Sequence, residues 1–419
     1  MDLGVDEVVQ EPHPGWFSVY KQLMKLNVII LLQITAICAI LVHDLVVDLN
    51  RTWLDTGLTI AVTVVGGTLS AGGSNAINMW YDADIDPLMR RTKNRPVPQG
   101  HISPRGALIF GTTIAIIGSS LFFIVSWKAA FWSFFSVLFY VLVYSMWLKR
   151  RTPQNIVIGG IAGSTPPLIG WAAAAGDSIL ESMNPMALGS PIPWLFFALI
   201  FFWTPPHFWA LALYRSGEYA KAEVPMMNEV RGPEHTVFLS KVYSVFLFML
   251  GSVPCFWPNS GLPLLWAFIA GGLTLWYAKS VWDIDPLEEL DENGRMPKAA
   301  KSFFRSLYYL GWMHLALVLV CVPPSSWLGP LGHFESAVPR SVLGQRSTTS
   351  TVMFMTASLV GGFVCGSRIA WPLRWIANPV VSHLGSSNLP CRAKSDFSQR
   401  NRRTHLQCFE HQLYGFVQP

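Results

Sequence analysis

Charge is what this chain has least of. Asp, Glu, Lys and Arg make up 13% of its 419 residues, about half the roughly 25% found in soluble domains, while 51% are hydrophobic and 13% aromatic. That shortage excludes a soluble globular enzyme. The apolar richness equally excludes a disordered chain, because such chains are poor in hydrophobic residues and carry charge instead. The six cysteines (Cys38, Cys255, Cys321, Cys365, Cys391 and Cys408) contain no CxxC pair, so neither a zinc site nor a disulfide framework is indicated. The first 20 residues carry Asp2, Asp6, Glu7 and Glu11 and no Arg, which is unlike a mitochondrial transit peptide, and they lack the apolar core of a secretory signal. The expectation is a multi-pass helical protein of a prokaryotic cell (inner) membrane.

Apolar segments long enough to cross a bilayer core of about 30 Å lie near 26–47, 56–77, 104–126, 128–147, 156–176, 194–214, 236–257, 262–282 and 303–323. The even-numbered loops hold the cations: Arg90, Arg91, Lys93 and Arg95, then Lys149, Arg150 and Arg151, then Arg215, Lys221 and Arg231, then Arg295, Lys298 and Lys301. The odd-numbered loops hold Arg51 and Lys128, and 177–193 has none. Since Lys and Arg accumulate in short cytoplasmic loops, the N-terminus and every long polar loop are placed in the cytoplasm. The fold expected is all-α, with nine transmembrane helices around a central cavity and the active site on the cytoplasmic side. Residues 1–25 form a cytoplasmic N-terminal segment and 26–323 the transmembrane domain. The rest, 324–419, is a Ser- and Arg-rich tail with 9 Lys and Arg against 3 Asp and Glu, where residues 1–323 have 21 against 22. It has one weak apolar stretch near 351–371, a tenth span if it crosses, and no chemistry is assigned to it.

The chemistry is read from polar residues at the span ends. Asn78, Asp82 and Asp86 follow one another at i, i+4 and i+8, which on a helix stacks them on one face over about 12 Å. Asp86 precedes Pro87, which disfavours the helical conformation there and puts Asp86 at a helix end, free to swing. Asp84 points elsewhere. Hard oxygen ligands in this number suit Mg²⁺, which takes one or two carboxylates and fills its other positions with water and phosphate oxygens. Arg90, Arg91, Lys93 and Arg95 follow at once and suit a polyphosphate, Arg by bidentate contacts. A solvated cytoplasmic loop would also be basic, but ionisable groups near membrane depth are costly and usually functional. A second cluster follows the sixth span, with His207, Tyr214, Arg215, Glu218 and Tyr219; Glu218 offers another oxygen ligand facing the first set, or belongs to an ordinary amphipathic loop helix. His207 inside an apolar segment is a packing residue or a substrate contact. Tyr144 and Lys149 sit at a third span end, Lys149 a phosphate contact or a stop-transfer anchor.

These stretches resemble the UbiA superfamily of intramembrane prenyltransferases, and within it the protoheme IX farnesyltransferase (heme O synthase) family. The superfamily pattern Asn-x3-Asp-x3-Asp corresponds to Asn78, Asp82 and Asp86. The narrower family is matched by the Asn-Ala-Ile-Asn-Met, Asp-x-Asp-Ile-Asp, Arg-Thr-x-Asn-Arg-Pro, Leu-Lys-Arg-Arg-Thr-Pro-Gln-Asn-Ile-Val-Ile-Gly-Gly and Trp-Thr-Pro-Pro-His-Phe-Trp-Ala-Leu-Ala stretches at 75–79, 82–86, 91–96, 148–160 and 203–212. The chain departs at the second acidic motif. The family reads Asp-Tyr and then Ala-Gly-Val-Pro-Met, where this chain has Gly217-Glu218-Tyr219 and Ala222-Glu223-Val224-Pro225-Met226. The family's Lys-Pro-Arg before the first span is Lys25-Leu26-Asn27.

The resemblance implies farnesyl transfer from farnesyl diphosphate to a vinyl group of heme B, with water adding to give heme O. It implies Mg²⁺ held by Asn78, Asp82, Asp86 and Glu218, the diphosphate held by Arg91, Lys93 and Arg95, and substrate contacts from Arg90, Asn94, Tyr144, Lys149, His207, Tyr214, Arg215, Glu218 and Tyr219. His207 would touch the heme iron or a propionate. Expected partners are the lipid bilayer and a downstream heme A synthase or terminal oxidase assembly, with no nucleic acid. A relative that prenylates a quinone precursor or chlorophyllide would share the acids but not Arg-Thr-Lys-Asn-Arg-Pro or Pro-Pro-His-Phe-Trp. A transporter would show paired repeats with broken helices near mid-bilayer, and an assembly factor would need no aligned ligands.

Overall fold

A computed structural model describes residues 15–47, 51–176, 183–215, 217–256, 264–292 and 295–322, all within one compact unit, Met1–Thr351. The tail 324–419, with its weak apolar stretch, lies outside the described residues. Among the described residues nine helical spans are long and apolar enough to cross a membrane: Leu26–Val46, Trp53–Tyr81, Pro104–Ile124, Trp127–Leu148, Asn155–Ala175, Ile192–Tyr214, Met227–Ser252, Leu264–Trp282 and Pro297–Cys321. This is a multi-pass membrane protein, and the bounds agree with the hydropathy reading except where polar turns prolong a helix. Ile109, Ile116, Phe238 and Phe268 stand exposed on the spans, as side chains that face lipid do.

The elements are α1 (Trp16–Met24), α2 (Leu26–Val46), α3 (Trp53–Tyr81), α4 (Pro104–Leu121), α5 (Trp127–Leu138), α6 (Asn155–Ser164), α7 (Pro166–Ala175), α8 (Ile192–Tyr214), α9 (Glu218–Lys221), α10 (Met227–Ser252), α11 (Leu264–Trp282) and α12 (Pro297–Cys321). Local chemistry fixes several ends. Thr52, Ser103 and Ser126 cap α3, α4 and α5, each hydroxyl accepting from the backbone N–H three residues on, which satisfies donors that a helix N-terminus leaves free. Pro104 occupies the first turn of α4, where its missing N–H costs nothing. The break between α6 and α7 falls at Thr165–Pro166. In α10, Gly232 leaves the helical region (φ 84°, ψ 162°) beside Pro233, so the turn from Met227 is a separate piece of helix laid ahead of the span read at 236–257.

Two features position the polar span ends. The 29-residue α3 rises about 43 Å at 1.5 Å per residue, more than a hydrocarbon core requires, and its last turns carry Asn75, Asn78 and the acids onward. It lies against α4 at backbone distance. A Cβ on Gly73 would stand 2.4 Å from the Gly111 carbonyl oxygen, and one on Gly118 2.4 Å from the Ser70 nitrogen. Small residues permit this closeness where no hydrophobic force drives helices together. The N-terminal segment is not a separate arm beyond Gly15: α1 buries Val19 and Leu23 against Ala76, Met79, Val97 and Ala107, and Met24 O accepts from Asn75 Nδ2 at 3.0 Å.

Gly73→Val should therefore force α3 and α4 apart. A destabilisation of about 1–3 kcal/mol, the usual cost of overpacking, is expected as a lowered thermal midpoint of the detergent-solubilised protein. Thr63→Val on the same helix, which keeps the side chain's size while removing a buried hydroxyl with no partner among the described residues, is the control.

Candidate active site

The three motif residues do not lie on one helix. α3 ends at Tyr81 with Asp82 as its C-cap, and Asp86 opens a single 3₁₀ turn, Asp86–Leu88. The expected 12 Å stack is thereby folded back on itself. Asp86 also does not swing. Its carboxylate is 0% exposed and both oxygens accept from Arg95 Nη1 at 2.9 Å, while its backbone carbonyl accepts from Thr92 Oγ1 at 2.8 Å. Pro87 disfavours α-helix at Asp86, and the chain turns inward there.

Asp82 is likewise sealed and paired with Lys149. Lys149 follows a π-helical stretch, Phe139–Leu148, a geometry concentrated at functional sites. Its backbone N–H donates to Tyr144 O, and the wide turn sets Ser145 where it accepts from Asn78 Nδ2 at 3.1 Å. Asn78 Oδ1 accepts from Lys25 Nζ at 3.4 Å. Lys25, given no role in the sequence reading beyond matching the family's Lys-Pro-Arg, is thus part of the cluster; its left-handed backbone (φ 52°) between α1 and α2 aims it there. The matching Lys of the Lys-Pro-Arg pattern was the signal that could have found it. Arg91 stands half-buried nearby. Arg90, Lys93 and Asn94 are exposed, because the turn bonds Thr92 N to Met89 O and Arg95 N to Thr92 O send Thr92 and Arg95 inward. Asp84 does point away: it takes a two-bond contact, 2.7 Å each, from Arg150 at the rim.

Burial dominates the electrostatics. It pushes the Lys25 ammonium well below the ordinary lysine range, helped by Arg95 and Arg91 and opposed by Asp86 and Asp82. It also lowers Lys149, opposed by Asp82, and lowers Arg95 together with the neighbouring Arg91 charge. The hydrogen bonds of the Asp84–Arg150 pair hold its carboxyl low and its guanidinium high. Lys25, Arg91, Arg95 and Lys149 outnumber Asp82 and Asp86, so the cluster suits an anion. Two of its buried atoms lack a hydrogen-bond partner among the described residues: Asp82 Oδ1, which lies 3.9 Å from Arg150 Nη2, and Arg95 Nε. A buried unpaired polar atom costs about 1–3 kcal/mol, which a ligand would relieve. Among the described residues no three His, Cys, Asp or Glu side chains form a metal cage. Two carboxylates and an amide nonetheless fit Mg²⁺, which relies on water and substrate phosphate for the remainder.

The second loop reaches this cluster through apolar contacts. Ile85 and Met89, flanking Asp86, pack with Ile156, Ala212, Ala222, Val224 and Met226, and Tyr144, Phe208 and Tyr219 lie against them. Tyr144 also stacks on Tyr140, centroids 5.4 Å apart. Tyr214 and Arg215 are brought to Arg295 rather than to the acids, Arg295 Nη1 donating to the Tyr214 hydroxyl at 3.2 Å and Arg215 lying over its ring at 5.8 Å. His207 is bonded to Ser306. The Glu218 side chain lies outside the described residues.

The profile of the UbiA prenyltransferase family matches residues 31–308, which hold all of this cluster except Lys25. The chain belongs to that family. A protein named protoheme IX farnesyltransferase from Bartonella bacilliformis is 40% identical over 294 residues, 70% of this chain and 87% of the relative. One of the same name from Parvibaculum lavamentivorans is 44% identical over 255 residues, 60% and 74%. These relatives place the chain among the protoheme IX farnesyltransferases of the UbiA family and make it a transferase. Among solved structures, a digeranylgeranylglyceryl phosphate synthase superposes with a TM-score of 0.55 at 15% identity, covering 73% of this chain and 98% of its own. A UbiA homolog from Aeropyrum pernix K1 gives 0.51 at 18%, covering 69% and 97%. Both share the fold of this chain.

Within this UbiA enzyme one departure has a structural cost. Glu223 takes the place of the Gly in Ala-Gly-Val-Pro-Met and adopts φ 52°, a region costing a non-glycine residue roughly 1–2 kcal/mol. Glu223→Gly should raise stability by about 1 kcal/mol, read as a higher thermal midpoint in detergent.

Proposed function

We propose that this protein moves a farnesyl group from farnesyl diphosphate to a vinyl group of heme B, giving heme O, at the cytoplasmic face of a bacterial inner membrane. The observation that carries the reading is the buried, cation-rich cluster around Asp82 and Asp86, with an acceptor and a donor that lack hydrogen-bond partners among the described residues, in a chain that belongs with the protoheme IX farnesyltransferases. Diphosphate leaves only when its developing charge is neutralised. Arg95 Nε, Lys149 and Lys25 would take its oxygens, with Arg91 alongside and Arg90, Lys93 and Asn94 at the rim guiding approach. Asn78, Asp82 and Asp86, joined by Glu218, would hold Mg²⁺, which when bound supplies Lewis-acid stabilisation of the leaving group.

Breaking the carbon–oxygen bond would leave an allylic cation, which the stacked rings of Tyr140 and Tyr144 would stabilise, each aromatic ring contributing about 0.5–2 kcal/mol. The vinyl π electrons form the new carbon–carbon bond. Water then adds its hydroxyl to the vinyl carbon next to the porphyrin and releases its remaining proton, so heme B, farnesyl diphosphate and water become heme O and diphosphate. A dry bilayer setting keeps water from the allylic cation until that bond has formed. Tyr219, Tyr214 and Arg215 border the same loops and complete the substrate contacts.

Membranes containing the protein, given heme B and labelled farnesyl diphosphate, should yield heme O by mass, and a chelator should abolish it. Product formation that ignores the chelator removes the metal from the mechanism, and prenylation of a quinone precursor in place of heme B replaces the acceptor. Asp82→Asn and Asp86→Asn should each lower kcat by about 100-fold or more, the scale of losing one charge-stabilising contact.

The pH dependence has a definite sign. Lys25 and Lys149 lose their protons at lower pH than ordinary lysines, so kcat/KM for farnesyl diphosphate, which reports the free enzyme, should fall as pH rises below the usual lysine range. Replacing both with Arg, which stays protonated, should remove that fall.

A further inference from the structure

His207 has no role in diphosphate departure, yet its setting is more specific than packing requires. It follows Pro205 and Pro206 on α8 and is 6% exposed. Its ring is clamped flat between Trp203, with centroids 4.2 Å apart at 18°, and Phe303 of α12, at 4.7 Å and 23°. Nδ1 lies 2.5 Å from Ser306 Oγ. The Ser306 hydroxyl donates to Phe303 O at 2.5 Å, and a carbonyl can only accept. The single hydroxyl proton is therefore committed, and Ser306 Oγ must accept from His207 Nδ1–H. A neutral imidazole here is therefore the Nδ1–H tautomer, and Nε2, which has no acceptor to hold a proton among the described residues, then keeps an in-plane lone pair. Trp203 Nε1 donates to the Ser306 carbonyl at 2.8 Å, fixing the same turn of α12 from the other side.

This is the arrangement of a ligating histidine. A neutral imidazole is the commonest metal ligand, and the non-coordinating nitrogen almost always donates to a fixed acceptor that sets tautomer and ring orientation. His314 on α12 provides the contrast: its Nδ1 lies 2.9 Å from Leu310 O, but it is 0% exposed with Nε2 sealed and unpartnered. His207 is also next to Phe208, which packs on the apolar cluster of Ile85, Met89, Tyr144 and Tyr219 beside Asp86, so imidazole and diphosphate cluster flank one apolar patch.

We propose that His207 Nε2 binds the iron of the acceptor porphyrin, with Ser306 as its positioning residue, so that α8 and α12 hold the acceptor while the ends of α3 and the π-helical stretch hold the donor. This rests on heme B being the acceptor. It assigns His207 to the iron, not to a propionate, since a neutral ring with its only N–H already committed offers a carboxylate no proton.

The test is spectroscopic and omits farnesyl diphosphate. Heme B is titrated into the purified full chain in lipid nanodiscs, and the ferrous resonance Raman spectrum should show an iron–imidazole stretch. His207→Phe, which keeps the stack and removes the nitrogen, should lose that band and bind heme more weakly; His207→Gly should recover it on adding free imidazole. Ser306→Ala should keep the band but weaken heme binding about 10- to 100-fold, the usual effect of losing an outer-shell partner. A wild-type spectrum without a nitrogen ligand overturns the proposal whether or not any variant folds, as does an unchanged band in His207→Phe. If wild type in either case still makes heme O, the proposed reaction stands without this ligand. If wild type neither binds heme B nor farnesylates it, both fall.

Discussion

Charges removed from water must be matched by other charges or by a ligand, and at the loop end of this bundle that requirement governs the local structure. Asp82 and Asp86 are fully sealed, and an unpaired carboxylate in such a place would cost several kcal/mol. Each is therefore bound to a cation from elsewhere in the chain: Asp86 to Arg95 nine residues on, Asp82 to Lys149 at the end of another span. The pairing fixes where the 82–103 loop folds and how far the π-helical stretch extends. Because Lys25 and Arg91 add further positive charge, the cluster is in balance only with an anion in it. In the proposed reaction that anion is diphosphate, whose binding would then stabilise the fold, since whatever binds the folded state alone stabilises it.

The helices serve that cluster. α3 is longer than the membrane demands and carries Asn78 and Asp82 to the rim, and its backbone contact with α4 at Gly73 and Gly118 holds the rim in place. The second loop contributes packing rather than charge among the described residues, and Tyr144, Tyr219 and Phe208 form an apolar wall between the acids and α8. In the proposed reaction donor and acceptor would meet across side chains that exclude water, the condition an allylic cation requires.

Much of this was legible in one dimension. Runs of apolar residues separated by basic loops report spans directly, because lipid admits only segments that satisfy their own backbone, and the Asn78, Asp82 and Asp86 pattern pointed to the buried polar cluster proposed as the site. Its geometry was not legible. A spacing of four implies a continuous helix only if the helix continues, and Pro87 together with the pull of Arg95 ends it at Tyr81. Arg90, Arg91, Lys93 and Arg95 looked equivalent; turn hydrogen bonds separate them, Arg95 buried and Lys93 exposed. Lys25 was overlooked because its partner, Asn78, is 53 residues away.

Composition and the intervals between apolar runs were enough to indicate a multi-pass helical protein and the nine spans found among the described residues, since these depend on how many apolar groups there are and how they are spaced. Tertiary structure decided which cation meets which carboxylate, that Lys25 joins them, and which tautomer His207 adopts. Those outcomes depend on contacts between residues remote in the chain, where hydrogen-bond direction and exclusion of water act and local order carries no record of either.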